Sequence, residues 1–395
     1  MEFLTAGESH GEALNGIISD YPSGVPVDIS FINNELERRQ KGFGRGNRMS
    51  IEKDSIKLLS GVRKGKSTGS PIAFLIYNKD WKNWKDKVEK EENLLDPRPG
   101  HADLTGILKY RLESIRDVIE RSSARETAAR VATGAFAKLI LRSLGIFLIS
   151  YVNRVGDIMF SKKIGIENKF NPLVNPKDKA IFKKIESSSL RCPDDKITAL
   201  MIDLINKTSE QGDTLGGSFR LFATGLVPGL GSYIQWDKRI DSRIAAALYS
   251  IPSVKAVGFG TIFSSKSLKG TDYHDEIYYD IHSGFYRKTN NAGGIEGGMT
   301  NGEMIDIEVI LKPIPTTKIG LKTVNIKTKM ESVSLKERSD ICAVPSAAVI
   351  GEAVLAIELL NSVQEKFGKD SFAEMTENYE NYRKYLRIIN NPRKN

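Results

Sequence analysis

Two hydrophobic patterns alternate along the chain and predict a mixture of strands and helices. Short apolar runs or alternating apolar positions, as over 72–77 and 304–311, are typical of strands. Apolar residues at helical spacing predict one continuous helix over 104–119 and another over 347–366. The elements follow one another without the regular strand–helix alternation of a doubly wound fold, which indicates the α+β class.

Polar residues mark where several helices begin. Asp28 or Ser30 can cap a helix over 31–39, because their side chains accept hydrogen bonds from the free amides of a first turn. Ser123 followed by Glu126 fits the capping-box pattern, in which each side chain binds the other residue's amide. The helix after Glu126 is rich in alanine and glycine. Such a composition is typical of a buried helix in close contact with its neighbours.

The sequence shows no linker rich in proline, serine or glycine, and we expect a single domain over 1–395. A lysine-rich segment at about 160–185 is expected at the periphery, and 387–395 is expected to form a loose tail. Gly61 to Ile76 and Gly298 to Ile310 both run from a glycine turn into an apolar strand. This echo fits an internal duplication, but it also fits the frequent use of glycine turns before strands.

Composition excludes several classes of protein. The 395 residues are 40% hydrophobic and 27% charged, which is typical of a folded globular protein and not of a disordered one. Two cysteines, Cys192 and Cys342, cannot build a disulfide framework, so we expect reduced thiols in a cytoplasmic protein. The first residues lack the pattern of a signal peptide, and apolar runs such as 72–77 are too short to cross a bilayer. We therefore expect no membrane attachment.

The net charge suggests an anionic partner. Basic residues number 58 and acidic residues 49, which gives a formal charge of +9. A basic chain favours nucleic acid, a membrane surface or a phosphorylated metabolite. Many lysines lie in mixed-charge stretches typical of solvated surfaces, whereas arginines stand beside glycines and serines, as in anion sites. A nucleic-acid-binding protein stays an alternative, but it would spread its phosphate contacts over one face.

Common nucleotide and metal motifs do not fit the sequence. The stretch 61–67 resembles a P-loop with one residue too few between its glycines, and 258–260 lacks the spacing of a dinucleotide fingerprint. The histidines form no His-x-x-x-His pair, so no metal site is expected. Two of them, His10 and His101, stand in glycine-flanked turns beside polar residues. This placement favours proton transfer near neutral pH.

Arginines and hydroxyl groups indicate where an anion binds. If Ser123 caps a helix, the free amides there form an anion site flanked by Arg121 and Arg125. The stretch 312–317 is stiffened by prolines and offers a cation and two hydroxyls. The residues therefore predict an acidic, phosphorylated metabolite, bound by arginines and processed by proton transfer from histidine and aspartate. No covalent nucleophile stands out.

Seven sequence blocks together resemble the chorismate synthase family. They begin with Gly-Glu-Ser-His-Gly and include Arg-Pro-Gly-His-Ala-Asp-Leu and Asn-Asn-Ala-Gly-Gly-Ile-Glu-Gly-Gly. The blocks lie at 7–11, 39 with 44–45, 98–104, 121–128, 290–298, 312–316 and 337–340. Their common order, over residues 5 to about 355, is far more specific than any one motif.

The resemblance implies one large β-α-β sandwich domain in a homotetramer. It implies a lyase that eliminates phosphate from 5-enolpyruvylshikimate 3-phosphate in a 1,4-anti reaction, removes a hydrogen from C6 and gives chorismate for aromatic amino acid biosynthesis. The reaction requires reduced FMN, although it has no net redox change. Some members reduce their flavin with NADPH. A different enzyme of phosphorylated sugars or acids, which needs no flavin, stays the alternative.

The resemblance also assigns roles to residues. His101 would protonate the departing phosphate, His10 would give a proton to the reduced flavin, and Ser9 and Asp340 would relay the C6 proton. The residues expected to hold the substrate carboxylates and phosphate are Arg39, Arg45, Arg48, Arg98 and Arg125. The residues expected to line the flavin are Arg121, Ser122, Ser123, Pro252, Ser253, Gly297, Gly298, Lys312, Pro313, Ile314, Pro315, Thr316 and Arg338.

Two places depart from the family pattern. Pro252 and Ser253 stand where other members more often carry an amide side chain and an alanine. Against the family pattern, this change weakens the expected side-chain amide contact to the flavin, whereas a backbone contact could survive. The segment 269–273 also differs from the usual Gly-Ser-x-x before His274.

Overall fold

A computed structural model describes residues 1–45, 53–88, 92–162, 164–282, 284–336 and 340–390. Its strands are β1 (Glu2–Ala6), β2 (Ala13–Ser19), β3 (Ile56–Leu58), β4 (Val62–Arg63), β5 (Lys66–Ser67), β6 (Ile72–Tyr77), β7 (Phe147–Val155), β8 (Ile158–Met159), β9 (Gly217–Thr224), β10 (Val254–Phe259), β11 (Ile277–Asp280), β12 (Gly284–Arg287), β13 (Ile295–Glu296), β14 (Met299–Thr300), β15 (Ile305–Leu311), β16 (Lys322–Val324) and β17 (Glu331–Val333). Its helices are α1 (Ile29–Gln40), α2 (Trp81–Val88), α3 (Asp103–Tyr110), α4 (Ile115–Ser122), α5 (Thr127–Ser143), α6 (Pro176–Ser187), α7 (Asp195–Glu210), α8 (Ile240–Tyr249), α9 (Gly270–Tyr273), α10 (Val344–Phe367) and α11 (Phe372–Asn390).

The longer strands form two antiparallel sheets. The first has the order β1-β2-β6-β3 and the second the order β10-β15-β9-β7-β8. Successive side chains of a strand point to opposite faces. In β2, Leu14 and Ile18 lie on the same face and are buried, whereas Ile17 points to the opposite face and is exposed. The first sheet thus has one face on the core, whereas seven of the eight residues of β9 in the second sheet are buried.

Helices fill the space between the two sheets. α5 packs on β1 and β2 of the first sheet, α10 packs on β7 and β9 of the second, and the two helices pack on each other. This arrangement is a β-α-β sandwich, so the predicted α+β class is confirmed. α1 joins the same layer, and the carboxylate of Asp28 caps it by accepting the amide of Phe31 at 3.1 Å.

Replacing Gly134 with alanine should destabilise the protein, because α5 and α10 touch at this residue. A Cβ on Gly134 would lie 2.6 Å from both the Cα and the carbonyl oxygen of Ala353. Overpacking of this kind costs about 1–3 kcal/mol, which urea unfolding would measure. Gly270→Ala is the control, because its Cβ would meet no atom closer than 3.6 Å. Wild-type stability of Gly134→Ala would contradict the tight helix contact.

α10 is the central core helix. By length and composition Val344–Phe367 is long and apolar enough to span a membrane. The expectation drawn from the sequence considered only shorter apolar runs such as 72–77 and did not include this helix. However, 89% of its most apolar 18-residue window is buried inside the protein. The hydrophobic character of α10 is therefore explained by its position between the sheets.

Six charged side chains form a buried cluster, here called the core ion cluster, between α1, α5, α6 and α10. At its centre Glu352 is fully buried and accepts hydrogen bonds from Arg38 at 2.8 Å and from Lys138 at 2.7 Å. Burial alone would raise the pKa of Glu352, but the three cations outweigh burial and hold it well below its usual range. The members are Glu35, Arg38, Lys138, Glu186, Arg191 and Glu352, so three acidic groups balance three basic groups.

The single helix predicted over 104–119 is wrong. The first helix, α3, ends where Arg111 adopts a left-handed backbone with φ 54°. A second helix, α4, then begins with Ser114 as its cap. The helical spacing of the apolar residues wrongly indicated one helix, because Ile107 of α3 and Ile119 of α4 pack into the same small cluster. Two short helices can therefore keep one apolar face across a break.

The two predicted peripheral segments contact the rest of the protein where the structure describes them, and 391–395 lie outside the described residues. The lysines described in 160–185 are exposed, but Phe170 packs in the main core. Residues 387–390, predicted as tail, are helical, because α11 continues to Asn390. There the Asn390 carbonyl accepts a hydrogen bond from the Tyr279 hydroxyl at 3.2 Å.

Candidate active site

A turn between β1 and β2 holds His10 against α4. The Nδ1 atom lies 2.7 Å from Oε1 of Glu120, and the His10 amide donates to Oε2 at 2.7 Å. Burial alone would raise the pKa of Glu120, but the bonds from His10 outweigh burial and lower it. Because an ionised carboxylate only accepts hydrogen bonds, Nδ1 carries the proton of this contact. Glu120 therefore fixes the tautomer of the ring.

Ser9 lies beside His10 and faces the start of α5. Its side chain is buried, and its hydroxyl donates to Oγ of Ser123 at 3.1 Å. Ser123 in turn caps a 3₁₀ turn that leads into α5 and accepts the amide of Arg125 at 3.3 Å. The two serines therefore connect the histidine turn to the arginine that follows.

The capping box predicted for Ser123 and Glu126 does not form. The Ser123 amide donates to the carbonyl of Ile119 at 3.0 Å, because α4 runs directly into the turn and already supplies an acceptor. The Glu126 carboxylate is bound instead by Thr5 at 2.7 Å and Arg130 at 2.9 Å. Glu126 thus ties β1 to α5.

Two buried arginines share one aspartate. Nη1 of Arg125 donates to Oδ2 of Asp54 at 2.7 Å, and Nη1 of Arg39 lies 3.6 Å from the same oxygen. Arg39 also donates to the hydroxyl of Thr127 and to the carbonyl of Ala124, both at 3.0 Å. Burial is the main cause that lowers the pKa of Arg39, and the charge of Arg125 adds to it. An excess of buried positive charge at this place favours an anionic ligand.

Asn78 joins the arginine pair to the histidine turn. Its Oδ1 accepts from Nε of Arg125 at 2.8 Å, while its Nδ2 donates to the carbonyls of Gly11 at 2.7 Å and Glu8 at 3.2 Å. The side chain is buried, and both ends of its amide are used. The orientation of the amide, and with it the relative position of Arg125 and His10, is therefore fixed.

Replacing Asn78 with alanine should destabilise the fold and loosen the site together. The change leaves Nε of Arg125 and the carbonyl of Gly11 without this partner, and a buried polar group left unpaired costs about 1–3 kcal/mol. Thermal unfolding would measure the loss. Asn83→Ala is the control, since that exposed amide donates to Asp80. Equal losses in the two variants would mean that Asn78 is no structural link.

A second histidine–carboxylate pair is formed by His101 and Asp103. Nδ1 of His101 lies 2.5 Å from Oδ1 of Asp103. Arg98 donates to the same carboxylate with Nε at 2.8 Å and to the hydroxyl of Thr316 with Nη1 at 2.9 Å. Burial alone would raise the pKa of Asp103, but the bonds from His101 and Arg98 hold it well below its usual range. The ring of His101 is thus also fixed at Nδ1.

The proline-rich stretch 312–316 lies against the His101 turn. The Lys312 ammonium donates to the carbonyl of Gly100. The Lys312 amide donates to the carbonyl of Ser253 at 2.9 Å, so Ser253 belongs to the same region. Burial lowers the pKa of Lys312. A cation and a hydroxyl from 312–316 therefore lie against the turn that carries His101, and Ser253 contacts the same stretch through its backbone.

Other predicted site residues lie near the arginine pair or support the histidine turn. Nε of Arg45 lies 3.3 Å from Oδ2 of Asp340, and the charges of both residues act on Arg39 at the end of α1. Arg121 donates to the carbonyl of Gly7 at 3.1 Å and so supports the turn that carries His10. The hydroxyl of Ser122 donates back into α4 at 2.7 Å.

Among the described residues, the hydrogen bonds described above join neither the glycine pair 297–298 nor Pro252 to the two histidine turns. The glycine pair 297–298 lies in the β13–β14 turn, where the carbonyl of the second glycine accepts the amide of Ile240 at 2.9 Å. Pro252 is exposed beside Ser253. Arg48 and Arg338 lie outside the described residues.

Four residues of the site had no role in the sequence interpretation: Asp54, Asn78, Asp103 and Glu120. Asp103 and Glu120 could have been found, since each stands within two residues of a predicted site residue. Asp54 and Asn78 gave no such signal, because their partners are distant along the chain.

Several known proteins are similar to this chain over nearly its whole length. A family model described as chorismate synthase matches residues 1–363. The chorismate synthases of Alkaliphilus metalliredigens and Sulfurihydrogenibium sp. are 46% and 47% identical, over 96% and 97% of this chain and 98% of each relative. That of Aquifex aeolicus is 46% identical, over 97% of both chains. A solved structure titled "Crystal Structure of Chorismate Synthase" matches with a TM-score of 0.78 and 39% identity, over 98% of both chains.

Proposed function

Because the chain belongs to the chorismate synthase family, we propose that its two histidine–carboxylate pairs and its buried arginines carry out that family's reaction. The protein is a lyase with a small-molecule substrate. It converts 5-enolpyruvylshikimate 3-phosphate to chorismate, with loss of phosphate and a hydrogen, for aromatic amino acid biosynthesis. The family uses a flavin cofactor.

The observation that carries the proposal is the pair of buried guanidinium groups. Nη1 of Arg39 and Nη2 of Arg125 make no hydrogen bond within the part of the chain that the structure describes. Leaving a buried donor unpaired is costly, and an anionic oxygen would relieve that cost. The substrate has two carboxylates and a phosphate, which we assign to these arginines with Arg45 and Arg98. Arg98 differs from the others, since Asp103 already occupies much of its guanidinium.

His101 is the proposed acid for the departing phosphate. Its Nδ1 proton is held by Asp103, so the proton that it can transfer is the one at Nε2. A phosphate that leaves as a more protonated ion is a better leaving group, and a positioned histidine is suited to this at neutral pH.

The proposed second proton site is the His10 turn. The described contacts join Ser9 to Ser123 and join Asp340 to Arg45. Ser9 lies beside His10, so a hydroxyl that both accepts and donates is available for a proton taken from C6. We propose that His10 would donate a proton to the bound flavin, that Ser9 would relay the proton from C6 and that Asp340 would accept it.

The residues present fit FMN as the particular flavin. The hydroxyls of Ser122, Ser123 and Thr316 suit its ribityl and ring atoms, and the hydroxyl of Thr317 is buried without a hydrogen-bond partner among the described residues. Arg121 suits its phosphate. When bound, reduced FMN supplies an electron transiently to the substrate and recovers it, so that no net oxidation occurs. The protein's own part is to bind, orient and exchange protons.

An anaerobic assay tests this function. The protein is mixed with 5-enolpyruvylshikimate 3-phosphate and either chemically reduced or oxidised FMN, and released phosphate and chorismate are measured together. Equal release of both products with reduced FMN alone is the expected result. No release, or release that does not depend on the flavin, would refute it.

We further propose a homotetramer in the cytoplasm. Large apolar side chains are exposed on the first sheet, as at Leu4 and Ile17, and at Tyr233 and Trp236, where a short 3₁₀ helix begins. Such surfaces mark subunit interfaces in many proteins. The two described cysteines are buried and unbridged, which suits a reducing compartment. Sedimentation analysis would distinguish a tetramer from smaller species.

A further inference from the structure

Asp54 occupies a place in the site that the roles assigned above do not explain. Its side chain is 0% exposed and lies between Arg39 and Arg125, which are 4% and 5% exposed. Its amide donates to the side chain of Gln40 at 3.2 Å, which ties it to the end of α1. A buried carboxylate beside an anion pocket would by itself repel an anionic ligand. Its presence therefore requires a role that outweighs this repulsion.

The geometry around Asp54 shows what the carboxylate does. Oδ2 contacts one terminal nitrogen of each arginine, at 2.7 Å for Arg125 and 3.6 Å for Arg39. The opposite edge of each guanidinium is held by a neutral group, Asn78 for Arg125 and Thr127 for Arg39. These contacts orient both planar groups, and they leave Nη2 of Arg125 and Nη1 of Arg39 without a hydrogen bond among the described residues.

We propose that Asp54 is a positioning residue, whose carboxylate holds Arg39 and Arg125 side by side so that one N–H of each is available to the same carboxylate or phosphate group of the ligand. Without the shared negative charge, two buried guanidinium groups would repel each other and separate. Their spacing, more than their total charge, then determines the affinity for the oxyanion. The inference rests on the proposed function, since it adds a residue to the same anion site.

The direction of the change in KM tests the proposal. Asp54→Asn should raise KM for 5-enolpyruvylshikimate 3-phosphate about ten- to a hundredfold, as expected for displaced binding groups, with kcat little changed. If Asp54 contributed only its charge, the same variant would make the pocket more positive and KM would fall. Asp54→Glu should rescue KM partly. Asp28→Asn is the matched control, because Asn caps a helix as well as Asp and this cap is exposed at the other end of α1.

Inorganic phosphate gives a readout that does not depend on turnover. Phosphate should raise the unfolding temperature of the wild type and of Asp28→Asn in proportion to its binding. Its apparent affinity should be about ten- to a hundredfold lower in Asp54→Asn. A wild type that binds phosphate in this way without converting the substrate would refute the proposed function and leave the role of Asp54 intact. Unchanged or tighter phosphate binding in Asp54→Asn would overturn the role. If that variant does not fold, wild-type phosphate affinity in Asp54→Glu would overturn it equally.

Discussion

Replacing His101 with alanine should lower kcat about a hundred- to ten-thousandfold, the range expected when a general acid is removed. Asp103 holds Nδ1 of the ring at 2.5 Å and keeps its own charge, because the bonds from His101 and Arg98 hold the pKa of Asp103 far below neutral pH. The ring is therefore oriented in advance for transfer from Nε2. The anaerobic assay with saturating substrate and reduced FMN would measure the loss as phosphate release.

The control for this change is His282→Ala. His282 is exposed in the β11–β12 turn, so the same chemical change there should leave kcat unaltered. Flavin binding, followed by absorbance, should survive in His101→Ala, since the imidazole is assigned to the phosphate. A His101→Ala variant with wild-type kcat would remove this residue from the acid role.

Replacing Glu352 with glutamine should destabilise the protein by about 3–5 kcal/mol, the cost of removing one partner from a buried ion pair. Glu352 is 0% exposed and is the shared acceptor of Arg38, Lys138 and Arg191. The amide keeps the volume but leaves three buried cations with two carboxylates. Urea unfolding would measure the change. Asp203→Asn is the control, because its pair with Lys207 is 60% and 66% exposed and such an exposed ion pair contributes little to stability.

Acid should act on the core ion cluster of the wild type. Burial alone would raise the pKa of Glu186, but the charges of Arg191 and Arg38 lower it from 4.5 to about 2. A carboxylate with a depressed pKa in the folded state contributes stability that is complete above pH 4.5 and is lost as the pH falls towards 2. Stability of the wild type should therefore drop over this window.

A Glu352→Gln variant as stable as the wild type would contradict the assigned role of the cluster.

Local structure was predictable where neighbours in sequence are also neighbours in space. Asp28, one of the two predicted caps, does cap α1, and the strands β6 and β15 were predicted with nearly correct ends. Capping and alternation are predictable because they depend on residues a few positions apart. The helix over 104–119 was wrong for the same reason. The apolar spacing there records the burial of one face, and burial does not distinguish one helix from two that share a cluster.

The family was also determined by the sequence, because seven short blocks carry it in a fixed order. Within those blocks His10 and His101 stand out by residue type and by the glycines beside them. The sequence predicts both histidines in turns suited to proton transfer. Their partners, Glu120 for His10 and Asp103 for His101, are seen only in the structure.

The tertiary structure decided how the chemical groups are assembled. Asp54 contacts Arg125, which is 71 residues away in sequence. Asn78 joins Arg125 to the turn at Glu8 and Gly11, which precedes Asn78 by 70 and 67 residues. Such contacts depend on the path of the backbone through two sheets and a helical layer, and no local pattern records them. By itself the sequence determined the family, the residue types and most local elements. The partners of each charge were decided only by packing, because burial makes an unpaired charge costly and so fixes which groups must meet.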